Sequence, residues 1–530
     1  MIPKIIHQTW KTEKLPVPAE MPQSWRRLNP DWDYRFWTDA MLADFVNSTY
    51  PELWPLYKAA PKPVMRADIA RYLLLHHFGG IYADIDTTCK APLSPLASET
   101  RVILSEEPSE HWGTHATPRG LPYMIFNGTM ASPKGHPFWQ HVIKTLKASE
   151  HAKEVLESTG PLMLTGAVFT YEAPEELALH SCHLFNIDTK DGPASKDTPF
   201  GPLAPLVAST HHWEGTWLAR RSFDPFKPLR HLFYYGIYKI SRGEYLSESD
   251  ARALVDETVL AAPLPAYNAS DLPAVSILIP LRDAASYIER CFALIDALDY
   301  PKNLIKITFV EGESTDNTVE LLKGLIAARQ GMYRGLKLAH FATNLTIPRK
   351  RRWRPELQKK RRAAIAQVRN HLIKEGLDNT DDFALWIDVD VCNYPADILH
   401  SLLQTNAKIV TPECTRTPGG PSYDMNAFLD IGSSKNTAYY RFAAGGIFQP
   451  PADYYWRRHL HDMRSLKRVP LSAVGGTMLL VHASVHNAGI DFPAIPYCDL
   501  LETEAFGKWA GDMGVIPIGL PQVEIQHVNE

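Results

Sequence analysis

The sequence predicts an α/β protein made of two tandem Rossmann-like domains joined by a helical linker. A chain of 530 residues is too long for a single hydrophobic core. Strand-like and helix-like segments alternate up to about residue 225, and the same alternation restarts at the apolar segment 275–280. Such alternation is typical of parallel sheets with helices on both faces. We therefore expect domains at residues 1–225 and 271–530, with the linker at residues 226–270.

The linker is predicted to be helical first and irregular at its end. Leu229, Leu232, Phe233 and Ile237 recur at helical spacing and give an apolar face. The segment 247–250 combines serines with acidic residues, which is typical of a helix start. Residues 262–270 contain prolines and small residues and indicate a connection between folded parts.

Composition is that of an ordinary globular protein and excludes several classes. The apolar content is 45%, the charged content is 22%, and the net charge of −4 gives no overall attraction for nucleic acid. The six cysteines are scattered and form no C-x-x-C pair, which argues against a zinc framework and favours a reducing compartment. The N-terminus has the pattern of a first strand rather than a signal peptide, and no segment has the apolar length of a membrane span. We expect a cytoplasmic protein, with or without peripheral contact to a membrane.

Two short acidic segments are the most informative feature of the chain. Asp84 and Asp86 close one apolar run, and Asp388 and Asp390 close another. In a strand, residues i and i+2 point to the same face, so each pair would place two carboxylates side by side. Like charges in such a position are costly unless a cation neutralises them. The pattern predicts two sites for a divalent metal bound to a phosphate.

The helix before the first acidic pair carries polar residues with two interpretations. Asp68 and Arg71 lie one helical turn apart. They form either an exposed ion pair, worth a few tenths of a kcal/mol, or part of a polar group that binds a sugar beside the metal. Because this helix leads directly into the acidic segment, we favour the second interpretation.

A basic segment at residues 349–362 contains nine Arg or Lys residues around Trp353. It leads into a helix that we expect to end at Gly376. Alone, the segment is compatible with a nucleic-acid-binding patch. A loop near an anionic donor, a surface that meets phospholipid or a lipid-linked acceptor, and a solvated run of charge are the alternatives.

The first half resembles glycosyltransferase family 32, and the resemblance rests on residues 2–10, 66–72, 79–86, 127–138, 158–161 and 211–217. It implies a GT-A fold and a metal-dependent transfer that retains the configuration of the sugar. By position it implies the following roles: Trp10 on the nucleotide base, Arg66 and Asp68 on the donor sugar, Asp84 near sugar and ribose, Asp86 on the metal, His211 or His212 as a further metal ligand, and Trp217 near the diphosphate.

The second half resembles glycosyltransferase family 62, the mannan polymerase subunits, in residues 277–284, 314–318, 369–370, 386–391, 474–481 and 501–507. By position this implies Asp388 and Asp390 as metal ligands with His527, Arg369 at the diphosphate or sugar, and Glu502 or Glu504 on the acceptor side. Asp316 is a candidate helix N-cap, a donor-binding residue, or both. A late histidine follows each acidic pair, since 126 residues separate Asp86 from His212 and 137 separate Asp390 from His527.

These features predict a bifunctional, metal-dependent, retaining glycosyltransferase with one Mn²⁺ or Mg²⁺ in each domain. The expected donor is GDP-mannose or, as second choice, a UDP-sugar, and the expected acceptor is a glycan or a lipid-linked glycan. The alternative is one active domain that uses a UDP-sugar, beside a degenerate domain that binds the acceptor or a partner. Net charge and the acidic sites oppose a third hypothesis, a nucleic-acid-binding protein, and no nucleic-acid partner is expected.

Overall fold

A computed structural model gives the structure, and it describes residues 1–190, 192–214, 226–345, 355–432 and 435–529. The chain divides into two compact units. One contains Met1–Ser222 and Asp462–Lys467, and the other contains Phe223–His461 and Arg468–Glu530. The segment predicted as a linker is counted with the second unit, and the domain limits proposed from the sequence stay a prediction. Among the helices of the described ranges, none is both long and apolar enough to cross a membrane.

The first unit combines eight described helices with ten described strands. The helices are α1 (Glu20–Leu28), α2 (Asp39–Thr49), α3 (Trp54–Ala59), α4 (Pro63–Phe78), α5 (Ser94–Ala97), α6 (Pro137–Ala148), α7 (Val155–Ser158) and α8 (Pro161–Thr170). The strands are β1 (Ile5–Trp10), β2 (Asp33–Thr38), β3 (Gly80–Ala83), β4 (Thr87–Cys89), β5 (Val102–Glu106), β6 (Ile125–Ser132), β7 (Leu177–His180), β8 (Asp188–Thr189), β9 (Gly192–Ala194) and β10 (Ser209–His211).

Six of these strands form a sheet in the order β2-β1-β3-β6-β5-β7. The expectation of a parallel sheet was wrong in part, because β6 runs antiparallel to both β3 and β5. Alternation of strands and helices does not show that a later strand enters between two earlier ones with its direction reversed. Side chains of β3 alternate between two apolar clusters, with Ile81 and Ala83 in one and Tyr82 in the other.

The turn between α4 and β3 depends on two glycines. Gly79 and Gly80 have positive φ angles of 69° and 91°, a region that favours glycine. A Cβ atom on Gly80 would lie 2.5 Å from the carbonyl oxygen of Ile5. The two glycines therefore end α4 at Phe78 and let β3 begin directly beside β1.

The second unit has ten described helices and thirteen described strands. The helices are α9 (Lys227–Ser241), α10 (Glu248–Ala253), α11 (Glu257–Leu260), α12 (Ile288–Asp296), α13 (Thr318–Ala328), α14 (Pro355–Gly376), α15 (Ile398–Leu403), α16 (Thr437–Phe442), α17 (Ala483–Asn487) and α18 (Glu502–Asp512). The strands are β11 (Val275–Leu281), β12 (Ile305–Glu311), β13 (Gly335–His340), β14 (Phe383–Ile387), β15 (Val391–Asn393), β16 (Ile409–Thr415), β17 (Phe428–Asp430), β18 (Ala443–Ala444), β19 (Ile447–Phe448), β20 (Arg457–His459), β21 (Val469–Pro470), β22 (Met478–His482) and β23 (Ile518–His527).

Nine strands of this unit form a mixed sheet in the order β13-β12-β11-β14-β22-β16-β23-β15, with β21 on β23. The strands β11 to β14 pair in parallel, whereas β22 runs antiparallel to β14 and β16. Helix α14 ends at Gly376 as predicted. A Cβ atom there would lie 2.4 Å from Cδ2 of Leu278 in β11, so glycine permits the close packing of helix on sheet.

Candidate functional site

The first acidic pair lies in a turn that follows β3. The carbonyl oxygen of Asp84 accepts a hydrogen bond of 3.2 Å from the backbone N–H of Thr87, which opens β4. The sequence argument placed Asp84 and Asp86 within a strand, and that was wrong because the chain turns after Ala83 to enter a second short strand. The turn still brings both carboxylates to the end of β3, at the edge of the sheet.

A second strand places a histidine next to this turn. Strand β10 pairs antiparallel with β4, and His211 lies opposite Thr87. Nε2 of His211 is 3.2 Å from Oδ1 of Asp86. The backbone N–H of His212 donates to the carbonyl of Asp86 at 3.0 Å, but the His212 ring points away and lies 2.8 Å from Oγ1 of Thr88. The geometry therefore brings His211, rather than His212, to the acidic pair.

These three side chains fit a divalent metal. One ligand atom each from Asp84, Asp86 and His211 lies within 4.8 Å of the others, and this is the one such group found among the residues described. Gly128 leaves space beside them, since a Cβ atom there would lie 2.9 Å from Oδ2 of Asp84. Two carboxylates with one imidazole suit manganese better than magnesium.

Asp68 and Arg71 form a buried ion pair beside the same turn, not an exposed one. Nη2 of Arg71 lies 3.1 Å from Asp68 and 3.3 Å from Asp84. Asn127 and Thr159 also donate to Asp68, at 3.1 Å and 2.9 Å. Burial raises the pKa of Asp68 to about 6, although Arg71 and Thr159 act in the opposite direction. Arg71 thus links the polar group of α4 to the acidic pair.

Protonation of the first site follows from burial and from close partners. Burial raises the pKa of Asp84, against the lowering effect of Arg71. Burial is the largest single effect on Asp86 and acts to raise its pKa, but the hydrogen bond and charge of His211 together with backbone N–H donors leave that pKa lowered. The same bond raises the pKa of His211 although burial acts to lower it. Asp86 therefore favours its ionised form, whereas His211 favours its protonated form and would release that proton on binding a cation.

Three further residues expected at this site lie elsewhere or are not described. Nη1 of Arg66 donates to the carbonyl of Ala60 at 2.9 Å, on the first turn of α4. Trp10 ends β1 half-buried, and Nζ of Lys11 lies 5.5 Å from its ring. Trp217 lies outside the described residues. Their donor-binding roles stay predictions.

The second acidic pair occupies an equivalent turn, after β14. The carbonyl of Asp388 accepts a 3.1 Å hydrogen bond from Val391, the first residue of β15, so here too the chain turns before the second aspartate. Strand β15 pairs antiparallel with β23, with Val391 opposite His527. Nε2 of His527 is 3.1 Å from Oδ2 of Asp390, and its ring lies 4.0 Å from that of Tyr423. The hydrogen bond with Asp390 raises the pKa of His527, against the effect of burial.

Arg369 connects this pair to α18. Its Nη2 lies 3.2 Å from Oδ1 of Asp388, and its Nε donates to Oε1 of Glu502 at 3.1 Å. Burial raises the pKa of Asp388 against the lowering effect of Arg369, and the charges of Asp390 and Asp424 raise it further. Arg369 thus holds Asp388 as Arg71 holds Asp84 in the first unit.

The two glutamates expected on the acceptor side are buried and paired with arginines. Arg362 donates to Oε2 of Glu504 at 2.7 Å and lies 3.6 Å from Glu502. Arg457 lies 3.7 Å from the other oxygen of Glu504. Glu502 has a positive φ of 57°, a conformation that non-glycine residues rarely adopt. The contacts position Arg362 and Arg369, and an acceptor role for the glutamates stays a prediction.

Asp424 was missed by the sequence argument. Its Oδ2 accepts hydrogen bonds from the backbone and hydroxyl of Thr477, at 3.2 Å and 2.9 Å. A Cβ atom on Gly475 would lie 1.9 Å from that oxygen, and one on Gly476 would lie 2.3 Å from Nη2 of Arg369, so the adjacent glycines make room for both side chains. The adjacent glycines could have indicated a close contact at this position, but the sequence does not show that the contacting residue is Asp424.

Asp316 stabilises a loop and is not itself the N-cap residue of α13. The N-cap of α13 is Asn317, while Oδ1 of Asp316 accepts from the backbone N–H of Thr318 at 3.0 Å. Its Oδ2 accepts from Ala285, which follows β11, at 3.2 Å. The residue joins two loops at the carboxyl ends of parallel strands, and donor binding there stays a prediction.

Comparison with known proteins assigns the chain to a family. The profile described as "Glycosyltransferase sugar-binding region containing DXD motif" matches residues 19–103, and the Anp1 profile matches residues 265–496. The mannan polymerase II complex anp1 subunit of Schizosaccharomyces pombe is 30% identical over 328 residues, which are 56% of this chain and 76% of that protein. The chain belongs to the Anp1 family. The resemblances stated for both halves are confirmed, and this Anp1-family chain is related to glycosyltransferases in each half.

Other similarities concern parts of the Anp1-family chain. Inositol phosphoceramide mannosyltransferase 3 of Schizosaccharomyces pombe is 37% identical over 172 residues, 31% of this chain and 44% of that protein. The chain thus spans less than half of that relative's length. The structure of the mannosyltransferase PcManGT from Pyrobaculum calidifontis in complex with GDP-Man and Mn²⁺ has 13% identity and a TM-score of 0.30, and the match covers 57% of this chain and 68% of that one.

Proposed function

We propose that the chain is a metal-dependent glycosyltransferase with two GT-A domains, each of which transfers a hexose from a nucleoside diphosphate donor. The convergence of Asp84, Asp86 and His211 at the end of β3 is the observation that carries the proposal. Names of relatives from both halves refer to mannosyltransferases or mannan polymerase. They support GDP-mannose as first donor and a glycan or glycolipid as acceptor.

Each acidic pair would hold Mn²⁺ or Mg²⁺ together with its histidine. When bound, the metal supplies Lewis-acid stabilisation of the departing diphosphate. Arg71 and Arg369 keep the first aspartate of each pair oriented through their Nη2 atoms. In a transfer with retention, the acceptor hydroxyl attacks the anomeric carbon on the leaving-group side, the glycosidic bond to the diphosphate breaks, and the hydroxyl proton passes to the departing phosphate. Such a step requires no strong protein base.

Isosteric variants test the proposal. With Mn²⁺ and a panel of GDP- and UDP-sugars, wild-type protein should give two transfer products, and Asp86→Asn and Asp390→Asn should each remove one of them, with a loss of at least about a hundredfold in rate. The exposed Asp31 forms a surface ion pair with Lys4, and Asp31→Asn is the matched control that should change neither product. Two products that persist unchanged in either site variant would exclude that half as a working site.

A second candidate function is one active site beside a unit that binds the acceptor. One observation favours it: in the described chain only the first triad, Asp84, Asp86 and His211, brings its ligand atoms within 4.8 Å of one another. Equilibrium binding of Mn²⁺ in the presence of GDP decides between the two. Two metal ions per chain, reduced to one by Asp390→Asn, support two sites, whereas one ion that Asp86→Asn abolishes supports this second candidate.

A further inference from the structure

Helix α9 of the second unit presents an apolar stripe to solvent. Leu229, Leu232 and Phe233 are 73%, 67% and 63% exposed, and Ile240 is 90% exposed. With Ile237 they fall on one side of the helix, within an arc of about 140° at about 100° per residue. Scattered exposed apolar residues are ordinary, but a contiguous stripe of this size marks a surface that meets something else.

The opposite side of the same helix is docked on the protein. The rings of Tyr235 and Tyr238 pack against Tyr440 in α16, with centroids 5.1 Å and 5.2 Å apart. The hydroxyl of Tyr238 donates to the buried carboxylate of Asp499 at 2.8 Å. The helix is therefore fixed by its aromatic side, and the stripe faces outward because of that docking.

Charge along the helix has one sign. Residues 226–243 contain no Asp or Glu, and they contain the four basic residues Lys227, Arg230, Lys239 and Arg242. On the helical wheel, Lys239 borders the apolar stripe on one side and Arg230 borders it on the other. Both are exposed. An apolar stripe flanked by cations is the pattern of helices that lie in a membrane interface.

The described part of the basic segment lies at the end of α9. Nζ of Lys359 in α14 donates to the carbonyl of Gly445 at 3.0 Å, and the N–H of Gly445 is 3.2 Å from Oγ of Ser241. Gly445 therefore links Ser241, the last residue of α9, to α14 by hydrogen bonds, and α14 contains part of the basic segment. Lys359 thus adds a further positive charge next to the C-terminal end of α9.

We propose that α9 docks this chain flat on an anionic phospholipid surface, with the apolar stripe in the acyl boundary and the flanking cations at the headgroups. Charge decides against a second copy of the same helix, because two stripes bordered by cations and without carboxylates would repel each other. Anionic headgroups satisfy both features at once. The inference concerns where the protein works and does not depend on the proposed transfer reaction.

Vesicle flotation of the full chain tests the proposal without sugar transfer. Wild-type protein should float with vesicles that contain about a third phosphatidylserine, should float far less with phosphatidylcholine alone, and should be released at high salt. Leu232→Ser with Phe233→Ser should lower the bound fraction at least about tenfold. Ile516→Ser, at a residue 57% exposed elsewhere in the same unit, is the matched control and should float like wild type.

Charge variants keep the test decisive if the apolar variant folds poorly by circular dichroism. Lys227→Glu with Lys239→Glu should lower binding to anionic vesicles at least about tenfold and leave weak binding to neutral vesicles unchanged. Wild-type protein that stays unbound to anionic vesicles would overturn the proposal, and so would a folded Leu232/Phe233 variant that floats as well as wild type. Light scattering that shows a dimer, broken by that variant, without any vesicle binding would assign the stripe to a second copy instead.

Discussion

Arg71→Met removes a buried cation from between two carboxylates and keeps the length of the side chain. The guanidinium lies 3.1 Å from Asp68 and 3.3 Å from Asp84, and it also donates to the carbonyl of Asn127 at 2.9 Å. The side chains of Arg71 and Asp68 are 5% and 4% exposed, so water cannot replace the lost contacts. Leaving a buried charge without its partner costs about 3–5 kcal/mol of unfolding free energy.

A double variant separates the ion pair from simple packing. Asp68→Asn with Arg71→Met removes both charges of the buried pair. Asp84 loses its guanidinium contact in both variants, so the double variant should be about 1–3 kcal/mol more stable than Arg71→Met alone. The matched control is Arg35→Met, because Arg35 pairs with Asp33 at the surface of the same unit at 2.7 Å. Its expected cost stays below about 1 kcal/mol.

Pulse proteolysis of the full chain at increasing urea measures the folded fraction of the first unit directly. A free energy of unfolding for Arg71→Met within about 1 kcal/mol of the wild-type value would refute the reasoning. So would a double variant no more stable than the single one, because the cost would then arise from lost packing rather than from an unpaired carboxylate.

Two further predictions concern histidines. We expect Mn²⁺ to raise the melting temperature of the first unit, His211→Gln to abolish this rise and His212→Gln to keep it. The reason is that the His211 ring contacts Asp86, whereas the His212 ring contacts Thr88. Equal loss in both variants would contradict the assignment of His211 as the metal ligand. Burial lowers the pKa of His486 to about 4, and its Nε2 has no hydrogen-bond partner among the residues described. Because the unfolded chain binds this proton at its higher usual pKa, stability is full above about pH 6.5 and should fall by about 3 kcal/mol by pH 4, and His486→Leu should flatten that slope in urea unfolding measured against pH.

The parts of the site that depend on local sequence patterns could be predicted. The apolar runs that end in Asp84 and Asp388, the glycine stop of α4 and the end of α14 at Gly376 all follow from short-range rules. The turn after each strand could not be predicted, because it depends on a partner strand more than a hundred residues later, β10 in one unit and β23 in the other. For the same reason the histidine could be placed near the acidic pair but not chosen between His211 and His212.

Pairing of buried charges was the other point at which sequence reasoning failed. Spacing along α4 showed that Asp68 and Arg71 are neighbours but not that the helix buries them. Arg66 was expected to bind the donor sugar; its Nη1 donates to the carbonyl of Ala60, and the sugar-binding role stays a prediction. Burial of a polar helical face depends on what packs against it, here the backbone of Asn127 in β6 and the hydroxyl of Thr159 after α7, and the periodicity of the sequence does not contain that information.

The two units build the same arrangement of charges from different sequences. In each, a buried arginine on the helix before the strand contacts the first aspartate through Nη2 and is paired with another carboxylate, and a histidine that ends a late strand contacts the second aspartate. The equivalent residues are Asp68, Arg71, Asp84, Asp86 and His211 in the first unit and Glu502, Arg369, Asp388, Asp390 and His527 in the second. In the first set three carboxylates against one guanidinium leave two negative charges, which one divalent cation would neutralise. In the second set Arg362 also lies 3.6 Å from Glu502 and offsets part of the negative charge.

This equivalence favours two working sites over one active and one degenerate unit. Buried ion pairs contribute little net stability, and apolar residues of similar size often replace them without loss. A second unit that only bound an acceptor would gain nothing in stability from burying Arg369 between Asp388 and Glu502. Charges of this kind would hold a metal with its bound diphosphate, so we expect Mn²⁺ binding at Asp390 although Arg369 holds Asp388 in this structure.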